Sequence, residues 1–133
     1  MRTRMRIGVD LVSVTRIAES MDRFGDRFVA RLFTSRELAY ATSAPARQAA
    51  ERLAARFAAK EATIKALSLV DEGVDWRNIE VRRDDHGACE LELHGSVAEA
   101  ARNQHVFDLS VSISHEGDHA IAFVVAQAQE SSA

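Results

Sequence analysis

Asp10 and Glu61 are carboxylates where a plain structural element has no need of one. Asp10 interrupts the apolar run IGVDLV at 7–12, and Glu61 lies in RFAAKEATIKA at 56–66, within about a turn of Lys60 and Lys65. Two acids and two lysines are the parts of a metal-assisted phosphate site. Mg²⁺ takes hard oxygen ligands in an octahedron, usually accepts one or two protein carboxylates, and completes its shell with waters and substrate phosphates. Asp10 and Glu61 would be such a pair, and the lysines would meet phosphate oxygens that the metal leaves unneutralised.

Taken singly, each residue also has a plain reading. Glu61 and Lys65 form an i,i+4 pair of the kind worth a few tenths of a kcal/mol on a surface helix, and an aspartate after a strand often caps the following helix. On a helix turning about 100° per residue, Leu53, Phe57, Ile64 and Leu67 fall within about 80° of one another and form the core-facing stripe. Glu61 sits just beyond one edge of that stripe, with Lys65 one turn onward. Lys60 falls inside it, where its stem can lie on apolar surface while the ammonium snorkels.

The elements that must position these residues follow from periodicity. Met5, Ile7, Val9 and Leu11 alternate with Arg6, Gly8 and Asp10, the pattern of a strand with one buried face and Asp10 on the other. Ser13 or Thr15 caps a helix carrying Ile17, Met21 and Phe24; Gly25 and Asp26 interrupt it before Phe28, Val29, Leu32 and Phe33 resume the stripe. Thr34 and Glu37 read as a capping box for a third short helix. After Pro45 an alanine-rich helix is predicted over roughly 46–68. The second half turns to strands: Ile79 and Val81, a DDHG turn at 84–87, then Cys89, Leu91 and Leu93. A short helix follows over Val97 to about Asn103. Leu109, Val111 and Ile113 then alternate with serines, EGD at 116–118 turns the chain, and a last strand covers Ala120 to Val125. Residues 127–133 read as a fraying polar tail. This order gives one α+β domain over 1–133, with helices packed on a mostly antiparallel sheet.

Composition removes several function classes. The chain has 133 residues, 47% hydrophobic and 28% charged, and a formal net charge of -3, without the concentrated basic surface that general nucleic-acid binding needs. Cys89 is the single cysteine, so no intrachain disulfide forms and a reducing cytoplasm is the expected compartment. No stretch approaches the ~20 apolar residues of a membrane span, and Asp10 breaks the apolar run behind MRTRMR too early for a cleavable signal.

Two further groups call for a ligand or a bland explanation. His115 ends a serine-rich strand, a position that also suits a histidine bonded to nearby backbone. Arg16, Arg23, Arg27 and Arg31 can line one helical face with Glu19, Asp22 and Asp26 interleaved, which reads either as a solvated mixed-charge face or as a dock for an acidic partner.

IGVDLV, RFAAKEATIKA, WRNIEV at 76–81 and SISHE at 112–116 together resemble the holo-acyl-carrier-protein synthases, the small 4'-phosphopantetheinyl transferases, over about residues 5–126. The resemblance implies a 4'-phosphopantetheinyl transferase-like fold and transfer of the 4'-phosphopantetheine arm of coenzyme A to a serine of an apo acyl carrier protein, releasing adenosine 3',5'-bisphosphate. It makes Asp10 and Glu61 the Mg²⁺ ligands and Lys65 a diphosphate contact and proton donor to the leaving group. Ser114 and His115, with Lys60 beside them, become coenzyme A contacts. Arg16, Arg27 and Phe28 become carrier-protein contacts, and a chain of this length is similar to the members that form homotrimers with sites between subunits. Glu61, acting directly or through water, is the favoured base.

Two departures stand out. Leu67 to Asp75 reads LSLVDEGVD and carries only Gly73, where the family has a glycine-rich run. Residues 42–50 are poor in basic side chains, leaving Arg47 and Arg52 as the nearest candidates for a coenzyme phosphate. Two rivals are a Mg²⁺-dependent hydrolase or nucleotidyl transferase on another diphosphate, and a carrier-binding module without catalysis.

Overall fold

The computed structural model describes residues 2–70 and 73–130. The chain runs β1 (Thr3–Ser13), α1 (Val14–Leu32), α2 (Ser35–Thr42), α3 (Ala46–Ala66), a single 3-10 turn at Trp76–Asn78, β2 (Ile79–Arg83), β3 (Cys89–Leu93), α4 (Gly95–Asn103), β4 (Val106–Glu116) and β5 (His119–Gln129). All described strand pairs are antiparallel. They form two sheets rather than one: a three-stranded sheet in the order β1-β5-β4, and the separate β2-β3 hairpin.

Helix α3 is the axis of the fold. A stripe of four large residues was the expectation; instead the helix is covered nearly all round, and Ala54, Ala58, Ala59 and Ala62 are fully buried. Alanine makes this possible, because it favours helix and lets neighbouring backbones approach closely. The closest approach is to β1, where a Cβ built on Gly8 would lie 1.9 Å from the Ala62 carbonyl oxygen. Only glycine fits there.

That contact overturns the expected facing of β1. The row on α3 is Gly8, Asp10 and Val12, with Val12 buried, while Met5, Ile7, Val9 and Leu11 are 61%, 61%, 46% and 62% exposed on the other side. A period of two defines two rows but does not say which is covered. Here the sheet must come within backbone contact of an alanine helix, so the thin row goes inward. Strand β5 agrees: Ala120, Ala122, Val124, Ala126 and Ala128 are buried, and Ile121 and Phe123 stand out on the open face beside Leu11 and Val9. Strand β4 follows the predicted sense, with Leu109, Val111 and Ile113 packed toward the core.

The local signals fix the remaining ends. Ser13 caps α1, accepting from the Arg16 amide, and Gly25 breaks that helix at φ 75°. Thr34 and Glu37 form the full capping box of α2. The start of the 127–133 tail needs correction, because β5 continues to Gln129, which pairs with Thr3 and donates its amide to the His105 carbonyl at 3.0 Å, while residues 131–133 lie outside the described residues. Its alternating alanines carry too little hydrophobicity to announce a strand. After α3 the glycine-poor loop uses Ser68 at φ 54° for its left-handed turn. Arg6 holds that turn through the Ala66 carbonyl at 2.9 Å and the Ser68 hydroxyl at 3.0 Å. Asp71 and Glu72 of that loop lie outside the described residues.

Candidate active site

The inward row of β1 and the one open strip of α3 meet at a cleft of about 470 Å³. Asp10 reaches it from the strand. Phe57, Glu61 and Lys65, spaced by four, reach it from the helix, and Arg16 and Phe28 close it from α1. These three helical positions are the least covered in the middle and end of α3, and Phe57 packs against the core, as its place in the stripe predicts, while also forming part of the cleft wall. It stacks on Trp76 of the 3-10 turn, ring centroids 5.3 Å apart.

Lys65 spans the gap between the two elements. Its ammonium donates to the Val9 carbonyl at 2.9 Å and stands 3.3 Å from Asp10 Oδ1. The Asp10 side chain is 18% exposed and that of Lys65 54%, so both remain accessible from the cleft. The i,i+4 spacing of Glu61 and Lys65 thus accompanies a contact of longer range, which sequence spacing alone does not reveal.

Lys60 leaves the site. It is fully buried, donating to Glu37 Oε1 at 2.8 Å, to the Trp76 carbonyl at 3.0 Å and to the Ile79 carbonyl. Three acceptors satisfy its three N–H donors, so it neither snorkels nor offers a proton to a coenzyme. Burial pushes its pKa down, against the upward pull of Glu37. Glu37 also accepts from the Thr34 and Val81 amides at 2.9 and 3.0 Å. The pair pins α3 to α2 and β2.

Ser114 and His115 take opposite faces of β4, as neighbours on a strand must. Ser114 pairs with Ile121 on the open face; His115 pairs with Ala120. His115 lines a second pocket, of about 340 Å³, with Tyr40, Arg52, Arg56, Arg83 and Cys89. Neither residue lines the Asp10 cleft of its own chain.

This second pocket is the feature that sequence reading largely missed. Arg52, Arg56 and Arg83 lie 4.1, 4.3 and 5.7 Å from the Tyr40 ring centroid, a cluster of cations on an aromatic face. Arg56 is 4% exposed and its Nε has no hydrogen-bond partner among the described residues. Burial lowers its pKa. Such a set of guanidinium donors suits an oxyanion. Of this set the sequence reading named only Arg52; Arg56 lies one helical turn on, and Tyr40 and Arg83 join only through the packing of α2 and the hairpin. Arg47, the other basic candidate, bonds Glu51 and Asp118 at 3.3 Å each.

Asp118, in the turn between β4 and β5, holds the start of α1. It accepts from the Thr15 hydroxyl at 2.6 Å, the Ser13 hydroxyl at 2.9 Å and the Thr15 amide at 3.0 Å. The Thr15 and Ser13 hydroxyls depress its pKa to about 2. A carboxylate at a helix N-terminus is favoured there, and α1 has no acid in its own first turn. The arginine row on α1 is exposed at Arg16, Arg23, Arg27 and Arg31. Arg27 does not line the cleft, whereas Phe28 does, packed on Phe24 at 5.1 Å between centroids.

With this geometry in hand, likeness to known proteins is specific. Residues 6–124 match the 4'-phosphopantetheinyl transferase superfamily. A holo-[acyl-carrier-protein] synthase of Koribacter versatilis is 42% identical over 119 residues, covering 89% of this chain and 94% of that protein. The ACPS-CoA complex of Chronobacterium ammoniagenes is 36% identical with a TM-score of 0.85, covering 96% of this chain and 99% of that one. The holo-[acyl-carrier-protein] synthase of Neisseria meningitidis is 36% identical with a TM-score of 0.81, covering 91% and 96%.

Proposed function

The chain belongs to the 4'-phosphopantetheinyl transferase superfamily, and from that membership we propose how its cleft carries out the transfer. The protein is a holo-[acyl-carrier-protein] synthase: it moves the 4'-phosphopantetheine arm of coenzyme A to a serine of an apo acyl carrier protein and releases adenosine 3',5'-bisphosphate. The observation that carries our assignment of roles is the convergence of Asp10, Glu61 and Lys65 on one cleft that Arg16 and Phe28 also line.

Asp10 and Glu61 offer the hard oxygen donors that suit Mg²⁺, in the number that this ion takes from protein. When bound, the ion would neutralise phosphate charge and orient the diphosphate. Glu61 accepts the proton of the attacking serine, whose oxygen forms the new bond to the phosphorus next to pantetheine. Lys65, already fixed by Val9 and Asp10, balances the charge on the departing bisphosphate and supplies its proton. The arginine pocket around Tyr40, with His115, takes an anionic phosphate of coenzyme A. Arg16, Arg27 and Phe28 on α1 receive the acidic carrier, a surface that charge steering favours.

We read the working form as a homotrimer with sites between subunits. The open apolar face of β1 and β5 supports this, because a contiguous patch of that kind marks an interaction surface. So does the separation of His115 from the Asp10 cleft within one chain. None of the described helices is long and apolar enough to cross a membrane, and with one cysteine our reading of the compartment is cytoplasmic. The test is incubation with coenzyme A, Mg²⁺ and apo carrier, read by mass spectrometry. The carrier gains one phosphopantetheine arm with the parent protein and none with Glu61→Gln; equal turnover by that variant would remove Glu61 from the mechanism.

A further inference from the structure

Glu80, Glu92 and His94 form the one group among the described residues in which three metal-ligating side chains bring an atom each within 4.8 Å of one another. They lie on the β2-β3 hairpin, and none lines the Asp10 cleft. Glu80 and Glu92 are direct partners across the ladder, and His94 follows Glu92 by two residues, so all three side chains share a face. Two carboxylates directly opposite one another repel. A strand pair keeps such an arrangement at a cost unless a cation sits between them.

The donor atoms are already close to a chelating arrangement. His94 Nε2 lies 3.1 Å from Glu80 Oε1 and 4.0 Å from Glu92 Oε1. A tetrahedral zinc ion with bonds of about 2.0–2.2 Å separates its ligands by roughly 3.3–3.6 Å, so the observed spacings straddle the required one. The remaining carboxylate oxygens are anchored from outside. Thr34 donates its hydroxyl to Glu80 Oε2 at 2.6 Å, and Arg82 donates to Glu92 Oε2 at 2.8 Å. Each acid thereby turns its free oxygen toward the imidazole, as outer partners orient ligating carboxylates in metal sites. The Glu80 residue is 5% exposed, giving the site a buried floor, while the Glu92 and His94 side chains are each 41% exposed and leave an entrance.

We propose that Glu80, Glu92 and His94 bind a zinc ion that ties the β2-β3 hairpin to the start of α2. One imidazole nitrogen and two carboxylate oxygens suit zinc, whereas Mg²⁺ prefers an all-oxygen octahedron. Three protein ligands leave a fourth position for water. Thr34 is the N-cap of α2 and donates its hydroxyl to Glu80, so the ion would reinforce, through Glu80, an α2–β2 junction that the Glu37 contact with the Val81 amide already holds. The same hairpin carries Arg83 and Cys89 of the arginine pocket, so the zinc site would stiffen one wall of it.

The experiment uses full-length protein freed of metal and carrying Asp10→Asn and Glu61→Gln, so that the cleft carboxylates cannot contribute. Zinc chloride is titrated by calorimetry and by thermal melting. The expected result is one equivalent per chain with a raised melting temperature, and at least about a 100-fold loss of affinity in His94→Ala and in Glu92→Gln, since outer partners alone are worth about 10–100-fold. Circular dichroism of these two half-exposed variants verifies their fold. Absence of saturable binding overturns the proposal. So does binding that His94→Ala leaves unchanged. Neither readout uses transfer activity, so the outcome is independent of the roles assigned in the cleft.

Discussion

Gly8 of β1 and Ala62 of α3 touch so closely that a methyl group on Gly8 would lie 1.9 Å from the Ala62 carbonyl oxygen. This contact sets how far Asp10, two residues along the strand, reaches over the helix toward Glu61. Gly8→Ala is therefore expected to destabilise the fold by about 1–3 kcal/mol or more through overpacking, and to lower transfer activity in the fraction that stays folded. Thermal melting and single-turnover mass assays measure the two effects separately.

Removing the cleft carboxylates should spare the fold and stop the chemistry. Glu61→Gln is expected to cut kcat by about 10²–10⁴-fold, the range for a positioned acid-base group, with an unchanged melting temperature. Asp10→Asn should raise the Mg²⁺ concentration needed for half-maximal activity. Chelation by EDTA should abolish turnover of the parent protein, and Mg²⁺ should restore it.

The proposed docking surface on α1 predicts a different kinetic pattern. Arg16→Glu and Arg27→Glu should raise KM for the carrier roughly tenfold while leaving kcat nearly intact, as expected when binding rather than the transition state is affected. The salt dependence of kcat/KM should flatten in both, because steering charge has been removed. A kcat loss without a KM change in Arg27→Glu would place that arginine outside carrier docking.

Lys60 and Glu37 make a buried pair with no surface component. Lys60→Ala leaves a buried carboxylate without its cation and is expected to cost ~3–5 kcal/mol. Adding Glu37→Gln should recover part of that loss by removing the stranded charge, and denaturant melts of the single and double variants form the cycle that measures it.

Acid stability should depend on Asp118. Its folded pKa of about 2 lies below the ordinary 3.8, so the unfolded chain takes up the proton more readily. The stabilisation is complete above the ordinary value and is lost as pH falls toward about 2. Asp118→Asn should make the acid-unfolding curve shallower in that window, followed by circular dichroism, and should loosen the start of α1.

Local chemistry was legible in the sequence and assembly was not. Thr34 and Glu37 announced the start of α2 because a capping box is satisfied within four residues. Gly25 announced the break in α1 for a similar reason. Asp10, Glu61 and Lys65 were identifiable by type, and the strand and helix were placed well enough to put them at one cleft. The facing of β1 was hidden, because it depends on Gly8 meeting Ala62 across 54 residues of chain. Lys60 was misread because its three acceptors come from α2, the Trp76 turn and β2, none of which a helical projection contains. Tyr40 and the arginines around it converge from three elements, α2, α3 and β2, in the same way. The last turns of β5 carry alanine where a strand signal needs bulk.

The outward row of Met5, Ile7, Val9 and Leu11 has a bearing on any attempt to engineer this protein. Replacing those side chains with polar ones would make an isolated chain more soluble, and the usual screens for well-behaved variants would select such changes. The same changes would erase the contact surface through which we read the enzyme as assembling. On the proposed assembly, solubility and function are opposed at one strand, and selection would be made on turnover at low protein concentration rather than on yield.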